Sequence, residues 1–183
     1  NFSMNIYCSD RKKLIDMINT AFVRGQVYFE RDVLAPNLES LNVQGFKYEG
    51  YAARISDMRS YFNENMKLLD DENLDALFSG NPIYTKIRDD NPTRYISGSE
   101  ASNVMVADGC VIEGHVENSI LFRGVKIAKG AVVKNCILMQ DTVIEEDARV
   151  DYTITDKKVV ISSGKEMKGA DTFPLYIAKG HRV

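Results

Sequence analysis

The sequence predicts two unlike parts, an α+β segment over residues 1–90 and a coil of short parallel β-strands over residues 91–183. Between 104 and 168, apolar or small residues recur in pairs four apart, and the pairs recur every six residues. A period of six would scatter apolar residues around a helix, and a plain alternating strand would not hold glycine at one phase. Stacked six-residue sides that turn their apolar pairs inward explain both observations.

The repeat also predicts the interior of this β-helix. Glycine or aspartate stands between pair members, where the chain must turn, and the register contains one three-residue insertion and one single-residue slip. The inward pairs are Val106/Cys110, Ile112/Val116, Leu121/Val125, Ile127/Ala131, Val133/Ile137, Met139/Val143, Ile144/Ala148 and Val150/Ile154. We expect roughly three to four coils. The residues expected to be buried include Val106, Ile112, Ile127, Val133, Ile137 and Met139.

Before the repeat, the pattern alternates between strand and helix signals. An apolar run at 4–8 predicts a strand, and Ser9 or Asp10 can cap a helix that Gly25 ends. A second helix is predicted at 32–41 and two short strands at 43–55. A further helix is expected after Ser56 or Asp57. The acidic run at 70–72 is interpreted either as turn or linker or as a solvated helix end. These elements make the first part α+β.

Composition excludes several classes of protein and partner. Hydrophobic residues make up 44% and charged residues 27% of the chain, which is ordinary for a globular protein. A net charge of −3 favours neither a nucleic-acid nor a membrane partner, and no apolar run reaches the roughly 20 residues of a membrane span. The three cysteines are scattered and no secretory signal is recognised, so we expect a reduced, cytoplasmic setting. With two histidines besides, no zinc site is expected.

Several stretches of the chain, in order, resemble one enzyme family. The segment 3–82 is similar to the closing part of the nucleotidyltransferase domain of ADP-glucose pyrophosphorylase (glucose-1-phosphate adenylyltransferase), and the repeat is similar to its left-handed hexapeptide β-helix. The left hand of the coil is implied by this resemblance alone, because parallel crossovers are otherwise right-handed. The matching stretches are 3–7, 29–34, 48–51, 61–66, 81–85, 109–121 and 141–144.

The resemblance implies a degraded sugar-phosphate site. Ser3 and Tyr7 match positions that contact glucose 1-phosphate in catalytic members, and Phe29 matches the aromatic member of an acidic–aromatic pair whose acidic residue is here Tyr28. Arg54 stands where the family has an aspartate that binds Mg²⁺, so a cation replaces a ligand of a cation. We therefore expect no catalytic residue, metal site or cofactor in this chain; Mg²⁺ is expected only for the catalytic subunit of the family.

The glycine-rich turn and the early acidic ligand that hold ATP in the family are not found in the sequence. We therefore expect a piece of a longer protein that is inactive alone, similar to the regulatory D-type subunit of bacterial glycogen synthesis. The resemblance implies a catalytic sister subunit as partner and self-association through the β-helix.

Two further hypotheses concern the β-helix. Four cationic residues near the C-terminus could form an anion site for a phosphorylated effector: Lys165, Lys168, Lys179 and Arg182. The alternative function is a hexapeptide-repeat acyltransferase, with His115 as its base. The apolar run at 173–177 either folds back onto the coil or docks on a neighbouring subunit, and the second possibility is favoured.

Overall fold

The computed structural model describes residues 3–80, 82–85 and 87–183. Backbone contacts divide the chain into two units, Asn1–Glu49 and Gly50–Val183. The predicted boundary near residue 90 lies inside the second unit. None of the helices in the described ranges is long and apolar enough to cross a membrane.

Helix α1 of the first unit, Arg11–Val23, begins where the sequence predicts. The Asp10 carboxylate accepts hydrogen bonds from the backbone N–H groups of Lys12 and Lys13, both at 3.0 Å. The helix predicted at 32–41 is instead three short pieces: a π-helical turn at Phe29–Leu34, a 3₁₀ turn at Ala35–Asn37 and α2 at Leu38–Leu41. Pro36 has no N–H to donate, so one continuous α-helix would lose a hydrogen bond there.

The strands predicted at 4–8 and 43–55 do not form. Both segments lack regular secondary structure, and within the described residues the first strand begins at Arg94. A strand is stabilised by hydrogen bonds to a neighbouring strand, so an apolar, β-branched pattern is not sufficient without that neighbour.

The second unit opens with two helices. Helix α3, Met58–Met66, starts in a capping box, with the Ser60 N–H donating to Asp57 Oδ1 at 2.6 Å. After a 3₁₀ turn at Lys67–Leu69, helix α4 spans Asp71–Phe78. Of the two interpretations of the acidic run at 70–72, the solvated helix end is confirmed and the turn or linker is wrong: Asp71 and Glu72 are exposed and form the first turn of α4, where the helix dipole favours negative charge.

From Arg94 onward the chain forms short strands. They are β1 Arg94–Tyr95, β2 Glu100–Val106, β3 Val111–Ile112, β4 His115–Leu121, β5 Lys126–Ile127, β6 Val132–Lys134, β7 Ile137–Leu138, β8 Val143–Ile144, β9 Arg149–Asp151, β10 Thr153–Thr155, β11 Val160–Ile161, β12 Glu166–Lys168 and β13 Leu175–Ile177.

All strand pairs are parallel and stack into a solenoid. One sheet has the order β1-β3-β5-β8-β11, and the other runs β12-β9-β6-β4-β7-β10-β13 with β2 also paired to β4. Strand β4 pairs with β6 at one end and β7 at the other, so it turns a corner between two sides. Lys126 pairs with Val143, and Val143 with Val160, each 17 residues apart. The solenoid has about four coils, which confirms the predicted fold and coil number.

The solenoid interior contains most of the predicted apolar residues. Both members of four predicted pairs are fully buried there: Ile112/Val116, Leu121/Val125, Ile127/Ala131 and Ile144/Ala148. Cys110 is buried in the solenoid interior as expected, and Cys136 is buried there too. Val106 is only half-buried, because β2 has a paired strand on one side alone among the described residues.

The prediction that Ile137, Met139 and Ile154 point inward is wrong. Successive side chains of a strand face opposite sides, and the neighbouring Leu138 occupies the interior. The side chains of Ile137 and Ile154 instead point away from the solenoid interior, and they are fully buried because Phe62 of α3 packs over them. Partly buried residues complete this outer cluster: Tyr61, Met66, Phe122, Met139 and Tyr152. One side of the solenoid is therefore apolar on both faces, and α3 covers it.

The C-terminal apolar run folds back onto its own chain. Residues 175–177 form β13 and pair in parallel with residues 153–155 of β10. The favoured expectation, docking of this run on a neighbouring subunit, is therefore wrong for β13. Phe173, just before the strand, has 79% of its surface exposed.

Candidate functional site

Three residues expected at a sugar-phosphate site lie together in the first unit. The Tyr7 and Phe29 rings meet edge to face with their centroids 5.6 Å apart. The hydroxyl groups of Ser3 and Tyr7 both donate to Oε1 of Glu30, from 3.3 Å in the case of Ser3. The structure thus assembles Ser3, Tyr7 and Phe29, with Glu30 at their centre.

An open pocket of about 440 Å³ adjoins these residues. Its lining consists of Asn5, Tyr7, Val27, Tyr28, Phe29, Glu30 and Arg31. The lining combines aromatic rings, an amide and a phenol, which are groups that contact hydroxylated ligands. Sequence analysis did not single out Glu30; the signal was its position directly after Phe29.

The pocket's guanidinium group is already engaged. Arg31 Nε lies 2.6 Å from Asp32 Oδ1, and the guanidinium stacks 4.3 Å from the centre of the Tyr28 ring. Asp32 also accepts the backbone N–H groups of Val27 and Tyr28. The Arg31 hydrogen bond, followed by these amide donors, holds the pKa of Asp32 well below its usual range.

Glu30 has a different environment. It takes part in no ion pair within the described residues. Its hydrogen bond to Tyr7 raises the pKa of that phenol, because loss of the proton would place two negative charges side by side. The carboxylate is therefore stabilised by hydroxyl groups rather than by a cation.

The structure gives no metal centre at Arg54. This residue is exposed, lies in a segment without regular structure and belongs to the second unit. Among the described residues no group of three or more His, Cys, Asp or Glu could hold a metal ion. A guanidinium cannot ligate Mg²⁺, so the residues at this position do not fit the ion that the family resemblance implies.

The four residues suggested as an anion site are exposed but are spread over the last coil. Lys165 lies in the turn before β12, Lys168 ends β12, and Lys179 follows β13. Arg182 Nη2 is 2.8 Å from Glu145 Oε1, so its charge is already paired. Near Lys179, the Gly180 N–H donates to the Lys157 carbonyl at 3.0 Å, which places Lys179 at one corner with Lys157 and Lys158.

His115, the base of the alternative acyltransferase, lies on the outer face of β4 between carboxylates. Its Nδ1 is 2.9 Å from Glu100 Oε2, and its Nε2 is 3.5 Å from Glu117 Oε2. Glu117 also pairs with Lys134 at 2.8 Å, and this lysine, followed by His115, lowers the pKa of Glu117. Both ring nitrogens of His115 thus face acidic partners.

Comparison with known proteins adds three similarities. Residues 87–172 match the family described as GlmU-like, C-terminal hexapeptide. The chain is 37% identical over 179 residues to the glycogen biosynthesis protein GlgD of Bacillus subtilis (strain 168), covering 97% of this chain and 52% of that protein. It is 40% identical over 133 residues to the protein of the same name from Geobacillus stearothermophilus, covering 72% of this chain and 38% of that protein.

A glucose-1-phosphate adenylyltransferase is also similar. The enzyme of Geobacillus stearothermophilus is 40% identical over 108 residues, covering 58% of this chain and 28% of the enzyme. The chain spans about half the length, or less, of these curated relatives. The hexapeptide match, together with the parallel solenoid, supports the predicted left-handed β-helix.

Proposed function

We propose that this chain, which is homologous to glycogen biosynthesis protein GlgD and to glucose-1-phosphate adenylyltransferases, is the assembly and regulatory portion of a non-catalytic subunit in glycogen synthesis. The similarity to two proteins named GlgD, one over 97% of this chain, carries the proposal. Arg54 at the position of a metal carboxylate supports a non-catalytic role.

The proposed partners are a catalytic sister subunit and further copies of this chain, bound through the β-helix. A solenoid ends in strands whose outer edges have unpaired backbone groups, and such edges are covered in stable assemblies. Phe173, largely exposed beside the last strand, supports association at this end. We also propose that the basic residues of the last coil bind an effector with phosphate groups. Lys157 and Lys158 lie at the same corner as Lys179 and would contribute to this site.

We propose a cytoplasmic location, which the free thiols of Cys8, Cys110 and Cys136 support.

Adenylyl transfer by this chain is not expected. With ATP, Mg²⁺ and glucose 1-phosphate, turnover should equal the buffer control, and Arg54→Asp should not raise it. Turnover that disappears on mutating a residue of this chain would refute the proposal.

Co-expression with a glucose-1-phosphate adenylyltransferase from the same genome tests the assembly role. We expect one complex in size-exclusion chromatography with light scattering, and a change in the effector response of the enzyme when this chain is present. A Phe173→Ser variant should weaken the complex, whereas Phe78→Ser, an exposed phenylalanine on α4, should not. Separate elution of the two chains at micromolar concentration would contradict the proposal.

A further inference from the structure

The pocket in the first unit has recognition groups that suit a hydroxyl-rich ligand. Phe29, and the part of the Tyr28 ring that the Arg31 guanidinium does not cover, provide ring surface on which the apolar face of a sugar can pack. Asn5 provides an amide that can both donate and accept hydrogen bonds. Neither the ring packing nor the amide hydrogen bonds require the ligand to carry a charge.

The charges of the pocket distinguish between ligands. The Arg31 guanidinium is neutralised by Asp32 at 2.6 Å, so it contributes no unpaired positive charge. The Glu30 carboxylate lines the same pocket without a cationic partner among the described residues. It also accepts the hydroxyl protons of Ser3 and Tyr7, so these donors are occupied before any ligand arrives.

We propose that Glu30 is a specificity-determining residue that closes this pocket to phosphorylated sugars and leaves it selective for an uncharged, hydroxyl-rich ligand such as a glucoside. The inference does not rest on the proposed regulatory function.

Two physical reasons support this selectivity. A sugar phosphate carries nearly two negative charges at neutral pH, and each would be repelled by a carboxylate a few ångströms away. The Ser3 and Tyr7 hydroxyl groups already donate to Glu30, so they are not free to donate to a phosphate. A neutral sugar hydroxyl, in contrast, can donate directly to the Glu30 carboxylate, and hydrogen bonds to charged acceptors are the stronger kind.

The experiment compares two ligands on the full chain by NMR titration at pH 8 and low salt. The probes are methyl α-glucoside, which is uncharged, and α-glucose 1-phosphate. Wild type is compared with Glu30→Gln, which keeps the side-chain shape, and with Glu39→Gln, which removes an equal charge from an exposed position on α2. Chemical-shift changes at residues 5–7 and 27–31 report whether binding occurs in this pocket.

In wild type, methyl α-glucoside should bind more tightly than glucose 1-phosphate. Glu30→Gln should tighten glucose 1-phosphate binding by about tenfold or more without a comparable gain for the glucoside, since removing one like charge near a dianion is worth on the order of that factor. Glu39→Gln should retain the wild-type preference.

Tighter binding of glucose 1-phosphate than of glucoside to wild type would overturn the proposal. So would an unchanged preference in Glu30→Gln, shifts outside the pocket residues, or no binding of the glucoside. Each of these outcomes is independent of the turnover and co-elution assays, so failure here is distinguishable from failure of the proposed function.

Discussion

Burial separates the three cysteines into one accessible thiol and two protected ones. Cys8 is exposed, whereas Cys110 and Cys136 lie in the solenoid interior. Burial raises the pKa of Cys110 and raises that of Cys136 to about 12, so neither thiol is ionised near neutral pH. We predict that a thiol reagent at pH 8 modifies one cysteine rapidly in the native protein and all three after unfolding in guanidinium.

The variant Cys8→Ser is the control for this measurement. It should remove the rapid reaction and leave the slow, unfolding-dependent one. Rapid modification of Cys110 or Cys136 in folded protein would contradict the buried positions of these residues.

The ion pair between Glu145 and Arg182 makes stability depend on pH. The Arg182 hydrogen bond lowers the pKa of Glu145 from its ordinary value of 4.5, so the unfolded chain binds the proton more readily than the folded one. The stabilisation is therefore present above about pH 4.5 and is lost as the pH falls through the lowered pKa. We predict that Glu145→Gln lowers the melting temperature at pH 7 and has a smaller effect at pH 3.5.

Glu146→Gln, at the exposed next position, is the matched control and should change the melting temperature little at either pH. An equal loss for Glu145→Gln at both pH values would show that its contribution is not ionic.

At the scale of elements, the attachment of α3 to the solenoid depends on one aromatic residue. Phe62 is only 4% exposed and packs against Ile137 and Ile154, which are fully buried beneath it. Phe62→Ala would leave a cavity between helix and sheet, and such truncations cost about 3 kcal/mol or more. We predict a loss of this size in urea-induced unfolding, together with faster amide exchange in residues 58–66.

The control is Phe78→Ala on α4, where 47% of the side chain is exposed. Its effect should stay within about 0.5 kcal/mol, as is usual for surface positions. Similar losses for both variants would mean that α3 packing does not stabilise the solenoid.

A glycine at a coil corner offers a second prediction at this scale. A Cβ added to Gly114 would lie 2.4 Å from the Ala131 carbonyl oxygen and 2.8 Å from that of Ala128. These are backbone atoms of the next coil, so the coils must separate, and overpacking of this kind costs about 1–3 kcal/mol. We predict such a loss for Gly114→Ala in urea unfolding and none for Gly80→Ala, where nothing lies within 4 Å.

At the scale of the whole molecule, the second unit should fold as one body. Helix α3 and its outer cluster belong to the unit Gly50–Val183, together with every strand. We predict that a fragment of residues 50–183 unfolds in a single cooperative urea transition. A fragment of residues 91–183 lacks α3 and would expose Ile137 and Ile154, so we expect it to aggregate.

Light scattering on both fragments checks this expectation. If fragment 91–183 is as well dispersed and as stable as fragment 50–183, the solenoid does not depend on α3 for its stability.

The sequence by itself determined the β-helix, because each coil repeats the same local requirements and several coils in phase exclude a helix or a plain strand. Residues such as Ile112, Ile127 and Val133 are interior as predicted. The capping residues Ser56 and Asp57 also located the start of α3, since capping by Asp57 depends only on residues within one turn. Ser3, Tyr7 and Phe29 were predicted from resemblance, and the structure brings them together.

Only the tertiary structure decided which face of a strand is buried when both faces are apolar. Ile137 and Leu138 are adjacent apolar residues that the sequence does not distinguish, but Ile137 lies under α3 and Leu138 lies inside the solenoid. The environment of Glu30 was likewise decided by the tertiary structure, because its carboxylate accepts hydrogen bonds from the hydroxyl groups of Ser3 and Tyr7, more than 20 positions away. Such contacts join separate segments, and local spacing carries no information about them.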